Sequence, residues 1–238
     1  MALDVLIGRD KERRALDDLM RQRKNILILG EEGVGKTALL EDALANSKIK
    51  DILYSQRSTA LKETLVNLLR SATDRKDLTQ KNILALKKNC YQLLAAKPEY
   101  VVLDHIARVE AKFYAFLTFI KEQKFPFVIA TRKSGKKHLG HLWMGLYDFA
   151  VLDVQNLDQE NTDALADYYA VSFDLQLGAD ATFKKDLFKL SRGNPKIIKN
   201  LCRLARDRKY RSKGYIDLKL VDLDRRINLS LDGIEADS

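Results

Sequence analysis

The sequence predicts an α/β fold: a parallel sheet with helices on both faces, followed by a small all-helical domain. Three observations carry that expectation. Short apolar runs alternate with longer helix-period patterns as far as about residue 157, the signature of strands joined by crossover helices. The runs Ile26–Leu29 and Val101–Leu103 are apolar without alternation, as strands covered on both faces are. Beyond Asp158 the strand signal fades and helical patterns follow alone.

Taken in order, the first helical pattern is Lys11–Arg23, and the first strand is Ile26–Leu29. Helical spacing resumes over Lys36–Ala45, then a strand over Ile52–Ser55, and helices over Ala60–Ala72 and Thr79–Ala96. Tyr100–Leu103 reads as a strand, Val109–Lys124 as a helix, and Phe127–Thr131 and Phe149–Val154 as the last strands. Helical patterns then cover Gln159–Ala170, Ala181–Ser191, Pro195–Arg208 and Leu218–Asn228, with the acidic end Ile234–Ser238 left as a frayed tail. Asn194 fits an N-cap and Pro195 the first helical position. Two domains are expected, residues 1–157 and 158–238.

Composition narrows the class. With 238 residues, 46% hydrophobic and 32% charged, the chain can bury a sizeable core and is not a disordered segment. Only 3 Pro and 11 Gly argue against linker-rich or many-turned β chains. No apolar run approaches the 18 or so residues a membrane span needs, and the N-terminus lacks a secretory pattern. Cys90 and Cys202 have no metal-ligand neighbours and read as thiols in a reducing compartment. The expectation is a cytoplasmic, soluble protein.

The net charge of +9 is local. Lys184–Lys213 holds 12 basic residues against Asp186 and Asp207, so it carries +10 and the other 208 residues −1. Lys196, Lys199, Arg203 and Arg206 share one helical stripe, opposite Ile197, Ile198, Leu201, Leu204 and Ala205. A concentrated excess suits phosphate neutralisation. Its counterpart is a solvated face beside an acidic neighbour, a nucleic acid, or an acidic protein surface or bound nucleotide.

The strongest motif is Gly30-Glu31-Glu32-Gly33-Val34-Gly35-Lys36-Thr37, followed by Ala38, directly after a strand and opening a helix. It matches G-x-x-x-x-G-K-[ST] in the required context. Glycines let the loop wrap a phosphate, whose charge the loop N–H groups and helix N-terminus would meet. Lys36 would bridge the β- and γ-phosphates, and the Thr37 hydroxyl would ligate Mg²⁺. Asp104, at the end of Tyr100–Leu103, supplies the acid that the Mg²⁺ shell needs. The next position often holds a Glu that deprotonates the attacking water; here it is His105. His105 would accept a proton near neutral pH, mark slow hydrolysis, or simply pack at a strand end. Thr131 or Arg132, ending another buried strand, would sense the γ-phosphate. The loop containing Lys136 and Lys137 would touch a partner's phosphates or lie solvated. His138 and His141 have H-x-x-H spacing without a nearby Cys or acid, a poor metal site. Trp143 reads as core or interface. The guanine-selecting Asn-Lys-x-Asp element is absent, which favours ATP.

On these residues the chain resembles P-loop AAA+ ATPases, in the branch of origin-recognition/Cdc6-like initiators, transposition helpers and STAND signalling NTPases. Ile7-Gly8-Arg9-Asp10-Lys11-Glu12 is similar to the segment that packs near adenine in those proteins, which implies contacts from Gly8 and Arg9. Gly30–Thr37 resembles their Walker A loop, Val101–Asp104 their Walker B strand, and Ile129–Arg132 their sensor 1 strand. Gly193-Asn194-Pro195-Lys196 resembles the sensor 2 motif of the helical lid, with Lys196 in place of the usual Arg. The resemblance implies ATP and Mg²⁺ as cofactors and catalysis by Lys36, Asp104, His105 and Arg132. It also implies nucleotide contacts from Pro195 and Lys196, and a homo-oligomer with an arginine finger at Arg108 or Arg132. The compact length resembles the helpers that act on duplex DNA and recruit a transposase, with Lys199, Arg203, Arg206, Lys136 and Lys137 as DNA contacts. The alternative is a STAND-like switch that binds a protein partner and hydrolyses slowly.

Overall fold

A computed structural model of the chain describes residues 6–47, 49–74, 77–175, 181–212 and 215–236. They form two compact units: the chain up to Glu32 together with Lys36–Val154, and Gly33–Gly35 together with the chain from Gln155 on.

The first unit is an α/β sandwich. Its strands are β1 (Ile26–Leu29), β2 (Ile52–Ser55), β3 (Tyr100–Leu103), β4 (Phe127–Thr131) and β5 (Ala150–Asp153). All pair in parallel, in the order β2-β3-β4-β1-β5. The helices are α1 (Asp10–Arg21), α2 (Lys36–Asn46), α3 (Leu61–Ala72), α4 (Ile83–Ala95), α5 (Ala111–Glu122) and the short α6 (Lys136–Leu139). The two-residue period of the strands decides what each face buries. Leu27, Val101, Leu103, Phe127 and Ile129 join Leu65, Leu68, Leu86, Phe113 and Phe116 of α3–α5 in one core. Ile26, Ile28, Val102, Val128 and Ala130 alternate with them and are equally buried. Each such Leu, Ile or Phe contributes about 1.5–3 kcal/mol. The Tyr100 hydroxyl fastens the end of α1 by donating to the carbonyls of Met20 (3.2 Å) and Lys24 (3.0 Å).

β4 lies between β1 and β3, so the carboxyl ends of these three strands stand side by side. That edge is where an open α/β sheet presents its ligand sites. The pattern over Thr79–Ala96 resolves into a 3₁₀ turn, Asp77–Gln80, and then α4. Asn82 separates them because its side chain accepts the Ala85 N–H and starts the new helix.

The second unit contains α7 (Gln159–Ser172), α8 (Ala181–Ser191), α9 (Pro195–Ala205) and α10 (Leu218–Ala236). Asp158 caps α7 by accepting from Asn161 N, and Asn194 caps α9 by accepting from Lys196 N and Ile197 N, with Pro195 at the first turn. α9 buries Ile198, Leu201, Cys202 and Ala205; Lys196, Arg203 and Arg206 are exposed and Lys199 is half-buried. Two details differ from the sequence pattern. A ladder of β6 (Arg211–Ser212) and β7 (Tyr215–Ile216) interrupts the helices, and α10 continues to Ala236, past Asn228. Lys213 of the basic segment, and Asp237 and Ser238 of the acidic end, lie outside the described residues.

Candidate functional site

β1 stops at Leu29, the loop runs from Gly30 to Gly35, and α2 begins at Lys36. The loop needs glycine at two points. Gly33 has φ +82°, and a Cβ there would lie 2.6 Å from Lys196 Cβ and 2.7 Å from Asn194 Oδ1. The Gly33 carbonyl also accepts the Lys196 N–H at 3.1 Å. Gly35 has φ +100° with open space around the Cβ position, so only its backbone conformation demands glycine.

Lys36 is 8% exposed. Its Nζ donates to the carbonyls of Gly30 and Glu31, both at 2.8 Å. Burial lowers its pKa from the ordinary 10.5, and the carboxylate of Asp104 opposes the shift. Thr37, one residue on, donates its hydroxyl to Asp104 Oδ2 at 2.6 Å. Asp104 is 0% exposed. Its other oxygen accepts the His105 N–H at 2.7 Å, and its own N–H donates to Ser55 O at 2.9 Å, extending the β2–β3 ladder. His105 turns off the strand with φ +51°. Its Nε2 lies 3.1 Å from Thr37 Oγ1 and 3.7 Å from Asp104 Oδ2.

The donor set fits Mg²⁺. A hydroxyl and a carboxylate are hard oxygen ligands, and a single-shell site of this kind completes itself with water and phosphate. A buried polar atom beside them points the same way. The Tyr54 hydroxyl on β2 is buried with no hydrogen-bond partner among the described residues. Its pKa is raised by burial, then by Asp104 and Glu41. Sequence reasoning did not single out Tyr54 or Glu41. Their signal was positional: Glu41 lies one helical turn after Thr37, and Tyr54 sits at the carboxyl end of β2.

The two candidate sensors on β4 separate. The Thr131 hydroxyl donates to Ile106 O at 3.0 Å and is buried. The guanidinium of Arg132 pairs with the carboxylate of Glu32 in the loop. Upstream, Gly8 takes φ +70°. Arg9 is 4% exposed and pairs with Glu12 at 2.8 Å. Val34 is buried, Ala38 half-buried. Lys136 and Lys137 are exposed on α6 of the first unit, whereas Lys199 and Arg203 belong to α9 of the second and Arg206 directly follows it. No group of three or more His, Cys, Asp or Glu placed to hold a metal exists among the described residues, at His138 and His141 or elsewhere. Cys90 and Cys202 are buried free thiols, each pushed up to about 12 by desolvation. No helix among the described residues is long and apolar enough to cross a membrane.

A family model described as the AAA ATPase domain matches residues 5–131. The AAA+ ATPase ClpV1 of Pseudomonas aeruginosa is 40% identical over 76 residues, 31% of this chain and 8% of that protein. Among solved structures, the Aeropyrum pernix Orc1 protein in complex with DNA superposes with a TM-score of 0.66 at 14% identity, covering 95% of this chain and 66% of that one. Domain III of the Thermotoga maritima replication initiation protein DnaA gives 0.58 at 15% identity, covering 92% and 91%. At such identities the likeness is one of fold.

Proposed function

This chain belongs to the AAA ATPase domain family, and from that premise we propose that it binds ATP with Mg²⁺ at Gly30–Thr37 and works as an oligomer on duplex DNA. The observation that carries the nucleotide reading is the convergence of Thr37 Oγ1 and Asp104 Oδ2, 2.6 Å apart, beside the buried ammonium of Lys36. Lys36 would exchange its two carbonyl partners for the β- and γ-phosphates. The N–H groups of Gly33, Val34, Gly35 and Ala38 would follow the phosphate chain into the start of α2. Thr37 and Asp104 would hold Mg²⁺, which when bound offsets charge on the phosphates. Gly8 and Arg9 would flank the adenine, and Pro195 and Lys196 would add contacts to the nucleotide. His105 would accept the proton of the attacking water. Arg132 would reach the γ-phosphate, in its own subunit or a neighbour's, after leaving Glu32.

The DNA reading is supported by the +10 segment, by exposed Arg203 on α9 and Arg206 directly after it, and by the Orc1 neighbour seen with DNA. Fluorescence anisotropy on a duplex, without nucleotide and with a non-hydrolysable ATP analogue at two salt concentrations, tests it. Binding that needs the analogue and falls steeply with salt is the expected result. No binding in either state would refute it.

A second reading has its own observations. His105 sits against the Thr37 hydroxyl, and Arg132 is tied to Glu32, an arrangement suited to a switch that holds nucleotide and turns over slowly while binding a protein partner. Purified protein retaining ADP, with turnover indifferent to DNA, would favour it.

A further inference from the structure

The first unit has a cavity of about 340 Å³ that the nucleotide reading does not use. Tyr114 and Thr118 of α5, Phe127, Leu142, Met144 and Phe149 line it. Phe127 opens β4 and Phe149 precedes β5, so this end of the cavity lies at the amino edge of the sheet, opposite Gly30–Thr37 and Asp104. Ligand pockets of about 300–1,000 Å³ have an apolar lining with a few polar groups, as this one does.

The cavity is held open by specific bonds. Lys121 Nζ donates to Gly145 O (2.8 Å) and Asp148 Oδ1 (2.6 Å) and stands 4.5 Å from the Tyr147 ring centroid. It thereby fastens the 143–149 segment to α5. Asn25 fastens the same segment from below, through Asp148 Oδ2 at 3.1 Å and the Ala150 N–H at 2.8 Å. Two lining residues face solvent, Met144 at 53% and Tyr147 at 86% exposed, and Trp143, next to Met144 in the chain, is 50% exposed. Trp, Tyr and Met are the residues that interface centres enrich. Because Asp148 already neutralises Lys121, exposed Glu122 sets the charge of the lining.

We propose that this cavity and the surface around Trp143 and Tyr147 dock a protein partner through one large aromatic or aliphatic side chain flanked by Arg or Lys. The anchor fills the cavity, the exposed ring and thioether cover it, and Glu122 meets the flanking cation. Volume selects the anchor and charge selects its neighbour.

Trp143 is the single tryptophan of the chain, so its emission reports occupancy directly. The full chain is titrated with acetyl-Ser-Gly-Arg-Leu-Phe-Arg-Ser-Gly amide and with the same peptide carrying Glu for both Arg. The Arg peptide is expected to shift Trp143 emission saturably and to bind about fivefold tighter than the Glu peptide. Glu122→Lys should reverse that preference. Thr118→Phe, which fills the cavity from α5, should abolish the shift for both while leaving ATP affinity unchanged. No saturable shift at about millimolar peptide, or one that survives Thr118→Phe, would overturn the proposal. So would self-association of the free chain that Thr118→Phe abolishes, since the occupant would then be a second copy.

Discussion

Replacing Gly193 by Ala strikes the junction from which α9 carries Asn194, Pro195 and Lys196. Gly193 has φ +75°, and a Cβ there would come within 1.9 Å of Leu157 O and 2.9 Å of Leu157 C. The Leu157 segment cannot give way freely, because Leu157 N–H donates to Gly193 O at 2.8 Å. A left-handed alanine costs about 1–2 kcal/mol, and losing the hydrogen bond about 0.5–1.5 kcal/mol more. The expected loss is about 3 kcal/mol, a large share of the 5–15 kcal/mol that holds a typical domain. With a urea m-value of about 2–3 kcal/mol/M for a chain of this size, the midpoint followed by far-UV circular dichroism should fall by about 1 M. Gly35→Ala is the matched control. Its φ is as unfavourable, yet its Cβ meets nothing, so it should cost about 1–2 kcal/mol while weakening nucleotide binding through the loop. A Gly193→Ala midpoint no lower than that of Gly35→Ala would refute the argument from the Leu157 contact.

Neutralising Lys199, Arg203 and Arg206 together should flatten the dependence of DNA affinity on salt by about 0.9 per lost phosphate contact; anisotropy titrations at several salt concentrations give the slope. ATP affinity should fall as pH rises through the lowered pKa of Lys36, because the phosphates need the ammonium. The stability of the free protein should rise across the same window, up to about 10.5, where the unfolded chain binds more protons. Asp104→Asn should move both transitions to lower pH, which calorimetry and urea unfolding against pH would show. His105→Glu should raise ATP turnover without tightening ATP binding, and steady-state phosphate release beside nucleotide titration would separate the two.

Much of this fold was legible because its signals are local. β1 and β3 fall where unbroken apolar runs lie, since strands covered on both faces leave no polar positions. Lys36, Thr37 and Asp104 were legible because a strand must precede each and the loop spacing is fixed. Asn194 and Pro195 start α9 through their own side chains. What escaped depends on contacts between distant residues or on very short elements. The Glu32–Arg132 pair joins positions a hundred residues apart, and the burial of the Thr131 hydroxyl against Ile106 O follows from the path of the chain after β3. α6 and the turn His141–Gly145 are too short to show a period, and so is the β6–β7 ladder. α9 ends at Ala205, short of Arg208, because Asp207 caps the next turn through the Lys209 N–H.

The central claim is that Lys36, Thr37 and Asp104 form one nucleotide site. The most direct measurement is calorimetric titration of ATP with Mg²⁺ into the wild-type chain and into Lys36→Ala, with circular dichroism of both. Saturable wild-type binding, lost in Lys36→Ala at an unchanged spectrum, is the predicted result. Equal ATP affinity in the two proteins would contradict it.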